Sequence, residues 1–204
     1  MSPAKMPRFL ARLFPKRLWF VPTREKTLYL TFDDGPIPEV TPFVLDTLAE
    51  HGAQATFFCV GENVHKHPEV YRRILEEGHA VGNHTFHHLN GWKTPTEAYL
   101  DNVARCAELV ESPLFRPPYG RLTQAQAKRL NPTYRLVMWD VLAKDYDPTT
   151  DAEACFQNVS RHARPGSIVV LHDSLKAQHN LRVVLPRILA FFGEKGFSFQ
   201  KLPA

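Results

Sequence analysis

From residue 27 onward, extended apolar runs alternate with stretches of helical period. The first run, Thr27-Leu28-Tyr29-Leu30-Thr31-Phe32, is rich in aromatic and β-branched residues and reads as a strand. Thr41-Pro42 then supplies an N-cap and a helix-starting proline, with Val44, Leu45 and Leu48 on one face and Gly52 at the end. Residues 55–59 read as a buried strand, and residues 68–77 as a helix stopped by Gly78, with a short strand following at 79–82. Thr94-Pro95-Thr96-Glu97 reads as a capping box opening a helix that runs to about Val110. Strands are expected at 114–116 and 134–139, and Asp151 as the cap of a helix to about Ala163. Ser167-Ile168-Val169-Val170-Leu171 is the most uniformly apolar strand; a helix near 181–192, ended by Gly193, leads to a last strand at 197–202. Seven strands alternating with helices predict an α/β fold of parallel strands and crossover helices, for which a closed or nearly closed β/α barrel fits better than an open sheet.

The chain has 204 residues, 44% hydrophobic and 23% charged, which suits one globular domain with a well-formed core. Cys59, Cys106 and Cys155 are odd in number, far apart and without Cys-x-x-Cys spacing, so they read as reduced core thiols. Charge changes the picture more. Residues 1–26 carry seven Lys/Arg against the single acid Glu25; this arm is +6, which leaves the body, residues 27–204, at −2 of the overall +4. A body of that sign excludes nucleic acid as its expected partner. In the arm, Phe9, Leu10, Leu13 and Phe14 share a helical face beside Arg8 and Arg12 until Pro15 interrupts the pattern. The basic amphipathic arm is expected either to pack on its own domain or to contact an anionic membrane peripherally. No apolar run is long enough for a signal-peptide core or a membrane span, so a cytoplasmic or peripheral location is expected.

Residues with chemical potential fall where expected strands end. Asp33-Asp34 follows the first strand, His84, His87 and His88 the third, Arg116 and Tyr119 the fourth, Asp145 the fifth and His172-Asp173 the sixth. In β/α barrels those ends converge on one face, so residues far apart in sequence would share one cavity. His84 and His88 stand at i and i+4, a spacing that reaches one point from a helical turn. Two imidazoles and one of the tandem aspartates form a three-ligand divalent site with open positions, with His87 as a spare. The other aspartate would then take a proton from attacking water, kept ionised by the metal and Arg116. His172 suits a general acid to a leaving amine, with Asp145 holding its imidazole.

Together these residues resemble the polysaccharide deacetylases, the NodB-homology domains of carbohydrate esterase family four, over roughly residues 27–202. Thr31-Phe32-Asp33-Asp34-Gly35-Pro36 is similar to the family's first motif, which implies Asp33 as base and Asp34 as metal ligand. His84-Thr85-Phe86-His87-His88 resembles the second, implying His84 and His88 as ligands. Arg116-Pro117-Pro118-Tyr119 resembles the third, in which the arginine orients the base and the Tyr119 backbone N–H helps hold the oxyanion. Val170-Leu171-His172 corresponds to the fifth, making His172 the acid. The resemblance implies the NodB-like deformed seven-stranded β/α barrel and a hydrolase that removes N-linked acetyl groups from amino sugars of a polysaccharide or oligosaccharide, releasing acetate. It also implies a divalent metal, zinc by default, with cobalt, nickel and iron(II) compatible with the same donors.

The sequence departs from the family at Leu89, where proline is usual, and in its fourth motif, Leu142-Ala143-Lys144-Asp145-Tyr146. There the aspartate paired with the acid histidine is kept, an earlier aspartate is lost and tyrosine replaces tryptophan. Val170 replaces the leucine of the fifth motif. These changes fall on the pocket walls, expected at Tyr119, Trp139, Tyr146 and Val170. They leave open a metal amidohydrolase for another C–N bond, such as an N-formyl sugar lipid or a cyclic imide, and an inactive carbohydrate-binding domain. Trp92, in the loop Leu89-Asn90-Gly91-Trp92-Lys93, is expected either to stack on sugar or to pack on the barrel rim.

Overall fold

A computed structural model describes residues 3–7 and 9–203, without the Leu10 side chain. Helix α1 (Phe9–Leu13) and strand β1 (Arg17–Leu18) precede β2 (Thr27–Asp33), α2 (Thr41–Glu50), β3 (Thr56–Cys59), α3 (Gly61–Lys66), α4 (Pro68–Glu76) and β4 (Ala80–Asn83). The chain continues through α5 (Thr96–Ala107), β5 (Leu114–Phe115), α6 (Gln124–Leu130), β6 (Arg135–Val137), β7 (Val141–Leu142), α7 (Ala152–Ser160), β8 (Ile168–His172), α8 (Gln178–Glu194) and β9 (Ser198–Phe199). The strands lie in the order β1-β6-β5-β4-β3-β2-β8-β7, every pair parallel, with β9 alongside the start of β2. This is a curled β/α half-barrel with helices outside.

Side-chain alternation in the strands divides two layers. Leu28, Leu30 and Phe32 of β2 and Val169 and Leu171 of β8 join the core against the helices, where Phe32 stacks on Phe57 at 5.1 Å. The opposite parity faces the barrel interior: Tyr29 and then Thr31 and Asp33 from β2, and Ile168, Val170 and His172 from β8. Burial on both faces is why these strands read as continuous apolar runs. Each fully buried leucine or phenylalanine contributes about 1.5–3 kcal/mol. Asp33 and His172, the inward polar residues that line the cleft, end β2 and β8 at the C-terminal mouth, and that fixes where chemistry can occur.

Among the described residues there are nine strands, two more than expected. The two are β1 and β7, of two residues each, which lie outside the runs that alternate with helices. Both belong to the seam of the barrel. Leu18 accepts from Met138 N–H, Val21 donates to Gly166, and Phe20 bridges Ser167, so residues 18–21 run from β6 to the entry of β8. Lys5 bridges Val141 antiparallel, and its ammonium lies 2.6 Å from the buried carboxylate of Asp140. Trp19 is buried among the interior side chains. The arm is thus packed onto the barrel at both ends, while Phe9, Leu13 and Phe14 remain exposed. Arg8 and the Leu10 side chain lie outside the described residues. No helix among the described residues is long and apolar enough to cross a membrane.

Several local expectations change. Thr94-Pro95-Thr96-Glu97 makes no capping box: Pro95 is the N-cap of α5, and Thr94 Oγ1 donates to the Asn90 carbonyl instead. A capping box occurs at α6, between Thr123 and Gln126. Thr41 does not cap α2; its hydroxyl accepts from Ile37 N–H and donates to Asp173. Asp151 does cap α7, accepting from Ala154 N–H at 2.7 Å.

Candidate active site

At the end of β2 the chain turns from Asp33 into Asp34, which has φ 85°, and then Gly35. The turn is held from β8. Gly35 N–H donates to Asp173 Oδ1 at 3.0 Å, and Thr41 donates to Asp173 Oδ2 at 2.6 Å. A Cβ on Gly35 would collide with the Asp173 carboxylate, so only glycine permits this closeness. Burial pushes the Asp173 carboxyl up to about 8, opposed by its hydrogen bond from Thr41.

Parity sends Asp33 inward, where it meets Arg116 from the end of β5. Arg116 is fully buried and donates to Asp33 Oδ1 at 2.6 Å, Thr31 Oγ1 at 2.8 Å and the Met138 carbonyl at 3.0 Å. Its guanidinium lies 4.1 Å from the Phe58 ring centre, a cation–π contact that helps a buried cation. Arg116 does not line the cleft; it stands behind Asp33 and holds one carboxylate oxygen.

Asp34 turns to the other side, toward two histidines. His84 Nε2 lies 3.8 Å and His88 Nε2 3.2 Å from Asp34 Oδ1. His84 Nδ1 is 2.7 Å from the Arg116 carbonyl, which can only accept, so that nitrogen carries the proton and Nε2 presents its lone pair. Burial pushes the His84 imidazole down to about 4, leaving it neutral at physiological pH. For Asp34, burial opposes ionisation, but the hydrogen bond with His88 and the surrounding imidazoles hold its carboxyl well below the usual range. Among the described residues, Asp34, His84 and His88 bring one donor atom each within 4.8 Å of one another. Two imidazoles and an ionised carboxylate fit a divalent cation.

The two histidines do not converge from a helical turn. Residues 84–90 form a loop with Thr85 at φ 64° and His88 at φ 54°. Two asparagines hold it. Asn83 Oδ1 accepts from Thr85 N–H, and Asn102 Oδ1 accepts from the N–H groups of Phe86 and His87. His87, the spare, is exposed and pairs with Asn102 at 2.8 Å, away from the other two.

Opposite the histidines, His172 ends β8. Asp145 Oδ1 lies 2.8 Å from His172 Nδ1, and Asp145 Oδ2 accepts from His172 N–H at 2.8 Å. Burial opposes the imidazolium charge, but Asp145 overcomes it and lifts His172 to about 9. Asp145 is buried, and Asn180 donates to its carbonyl.

A cleft of about 480 Å³ collects these groups: Asp33, Asp34, His84, His88 and His172 line it, with Tyr119, Trp139, Tyr146 and Val170 as walls. Tyr119 has φ 60°, is exposed, and meets the His88 ring edge-on at 4.7 Å. Gly120, at φ 65°, sits where a Cβ would strike Trp139. Tyr146 packs edge-on against His172 at 4.6 Å. Trp92 does not pack into the rim: it is 65% exposed, with the Arg121 guanidinium 5.1 Å from its ring centre. Of the residues that hold the turns, sequence reasoning missed Asn83 and Asn102, read Thr41 only as a helix cap and noted Asp173 without a role. Asn83, before His84, and Asp173, after His172, stood next to motifs.

Residues 20–134 match the family model described as polysaccharide deacetylase, and the chain belongs to that family. A peptidoglycan-N-acetylglucosamine deacetylase of Bacillus cereus is 36% identical over 188 residues, covering 89% of this chain and 88% of the relative. A chitooligosaccharide deacetylase of Azorhizobium caulinodans is 33% identical over 202 residues, covering 88% and 94%. Among solved structures, the Bc1960 peptidoglycan N-acetylglucosamine deacetylase superposes with a TM-score of 0.89 at 30% identity, over 97% of this chain and 95% of that one.

Proposed function

We propose that this protein is a metal-dependent hydrolase that removes N-acetyl groups from amino sugars of a polysaccharide or oligosaccharide, releasing acetate. The reading is carried by the facing of two units across one cleft: the Asp34–His84–His88 donor set on one side and the Asp145–His172 pair on the other. The polysaccharide and oligosaccharide substrates named for the relatives support the choice of an N-acetylated sugar.

Asp34, His84 and His88 would hold the cation, and zinc is the first assignment for two imidazoles and a carboxylate. When bound, it supplies a Lewis acid for the acyl oxygen and makes water more acidic. Asp33 takes the proton from attacking water. Arg116 positions it through Oδ1, and Oδ2 has no protein partner among the described residues. Water adds to the acyl carbon, with the Tyr119 backbone N–H assigned to the developing oxyanion. The C–N bond then breaks. His172, with Nδ1 committed to Asp145, gives its Nε2 proton to the departing amine. Acetate release from N-acetylchitooligosaccharides by protein loaded with Zn²⁺, Co²⁺, Ni²⁺ or Fe²⁺ tests this reading; no release with any of them contradicts it.

The exposed Phe9, Leu13 and Phe14 stand beside Arg12 and Arg17, which supports peripheral contact of the arm with an anionic membrane. Co-sedimentation with phosphatidylglycerol vesicles, lost when Phe9 and Leu13 are replaced by serine, is the expected result; equal sedimentation of both proteins contradicts it.

A further inference from the structure

The mouth of the cleft carries the opposite charge from the body around it. Residues 27–204 sum to −2, yet Arg121, Lys144 and Lys176 all line this one opening against the single rim acid Asp147. The cations sit on both walls. Arg121 follows the Tyr119–Gly120 turn and lies over Trp92, while Lys176 lies 5.7 Å from the centre of the Tyr146 ring. Lys144 is held at φ 64°, a left-handed conformation that a lysine adopts only where its surroundings impose it.

The obvious anions do not account for these three cations. Asp33 is matched by Arg116 and Asp34 belongs to the donor set, both deeper in the cleft. Asp147 is tied to the Thr149 N–H and hydroxyl, with Lys144 and Lys176 only more distant influences on it. None of the three has an anionic hydrogen-bond or ion-pair partner among the described residues. A neutral N-acetylated glycan has no use for such a rim. A glycan bearing a carboxylate or phosphate next to the reacting unit does, because a charged cleft steers and orients it.

We propose that Arg121, Lys144 and Lys176 select glycans carrying an oxyanion on the residue adjoining the N-acetylated sugar. This rests on the deacetylase reading above and adds the class of substrate. The reaction is unchanged; the rim acts on binding and orientation.

The test compares N-acetylchitotetraose with a tetrasaccharide of alternating N-acetylglucosamine and N-acetylmuramic acid, and with the same glycan after its carboxylates are amidated. A fourth probe, N-acetylchitotetraose 1-phosphate, separates phosphate from carboxylate as the source of charge. For metal-loaded protein at low ionic strength, kcat/KM for a charged glycan over its neutral counterpart is expected at about tenfold. That ratio should fall toward one in 0.5 M NaCl, where screening acts within about 4 Å. It should also fall in Lys144→Asn, Lys176→Gln and Arg121→Gln; asparagine is chosen because it tolerates a positive φ. Equal kcat/KM for charged and neutral glycans in the wild type, or a ratio indifferent to both salt and the substitutions, overturns the proposal and leaves the deacetylase reading standing. Equilibrium binding of the same glycans to the metal-loaded protein keeps the two claims apart. If no glycan releases acetate but charged ones still bind more tightly through these residues, the rim proposal holds and the deacetylase reading falls.

Discussion

Asp33 and His172 are register partners: their Cα positions pair across β2 and β8, adjacent parallel strands of which β8 adjoins the edge strand β7. Equal parity turns both side chains toward the barrel mouth, one strand spacing apart. Each is held by a buried residue of opposite charge, Arg116 for Asp33 and Asp145 for His172. The proposed base and acid therefore stand side by side, each held by its own partner.

His172 is expected to set the alkaline limb of the pH–rate profile. Asp145 lifts its pKa, against burial, to about 9, so activity should fall as the pH rises and this proton is lost. Asp145→Asn should move the limb to lower pH by about one unit or more, measured as kcat/KM against pH. A loss of rate without movement of the limb would mean that Asp145 only shapes the site.

The same proton affects stability. Its folded pKa lies above the ordinary histidine value of 6.5, so the contribution is complete below about 6.5 and is lost as the pH rises through about 9. Urea denaturation of the metal-free protein should show stability declining across that window, with a shallower decline in His172→Gln.

Breaking the Arg116–Asp33 pair should be costly because Arg116 is fully buried. Arg116→Met is expected to lose about 3–5 kcal/mol in urea denaturation, since it strands a carboxylate. Adding Asp33→Asn should recover part of the loss, giving a coupling of about 0.5–3 kcal/mol in a double-mutant cycle. Additive losses would show that the pair is not coupled.

The arm should behave as part of the barrel. Trp19 is buried in the seam between β6 and β8, so Trp19→Ala is expected to cost about 3–5 kcal/mol by thermal or urea unfolding. A change below about 0.5 kcal/mol, the size of an ordinary surface substitution, would show that the arm is only laid on the surface.

What could be read beforehand divides by the length of the signal. Runs such as Thr27–Asp33 and Ile168–His172 carry enough alternation and apolarity to show strand, parity and buried character. Alternation with helices then carries the barrel and the convergence of Asp33, Asp34 and His172. β1 lies in the arm and β7 just past the 134–139 run, both outside the alternation with helices, so they were invisible, and with them the seam that the arm fills. The His84–His88 pair was legible as a spacing but misread as a helix. Its convergence depends on two positive φ values and on Asn102, which is near only in the fold. Asp173 and Thr41 were opaque for a similar reason: their partners across β2 and α2 are far away in sequence.

The division of labour between the tandem aspartates is tested most directly by metal content and acetate release measured together on Asp33→Asn and His84→Ala. Each protein would be metal-loaded, dialysed and assayed on N-acetylchitooligosaccharides. The account predicts that Asp33→Asn keeps about one metal per chain, as befits a three-donor site it does not belong to, and releases no acetate. It predicts that His84→Ala loses both metal and activity. Acetate release by Asp33→Asn at the wild-type rate, or full metal retention in His84→Ala, would contradict it.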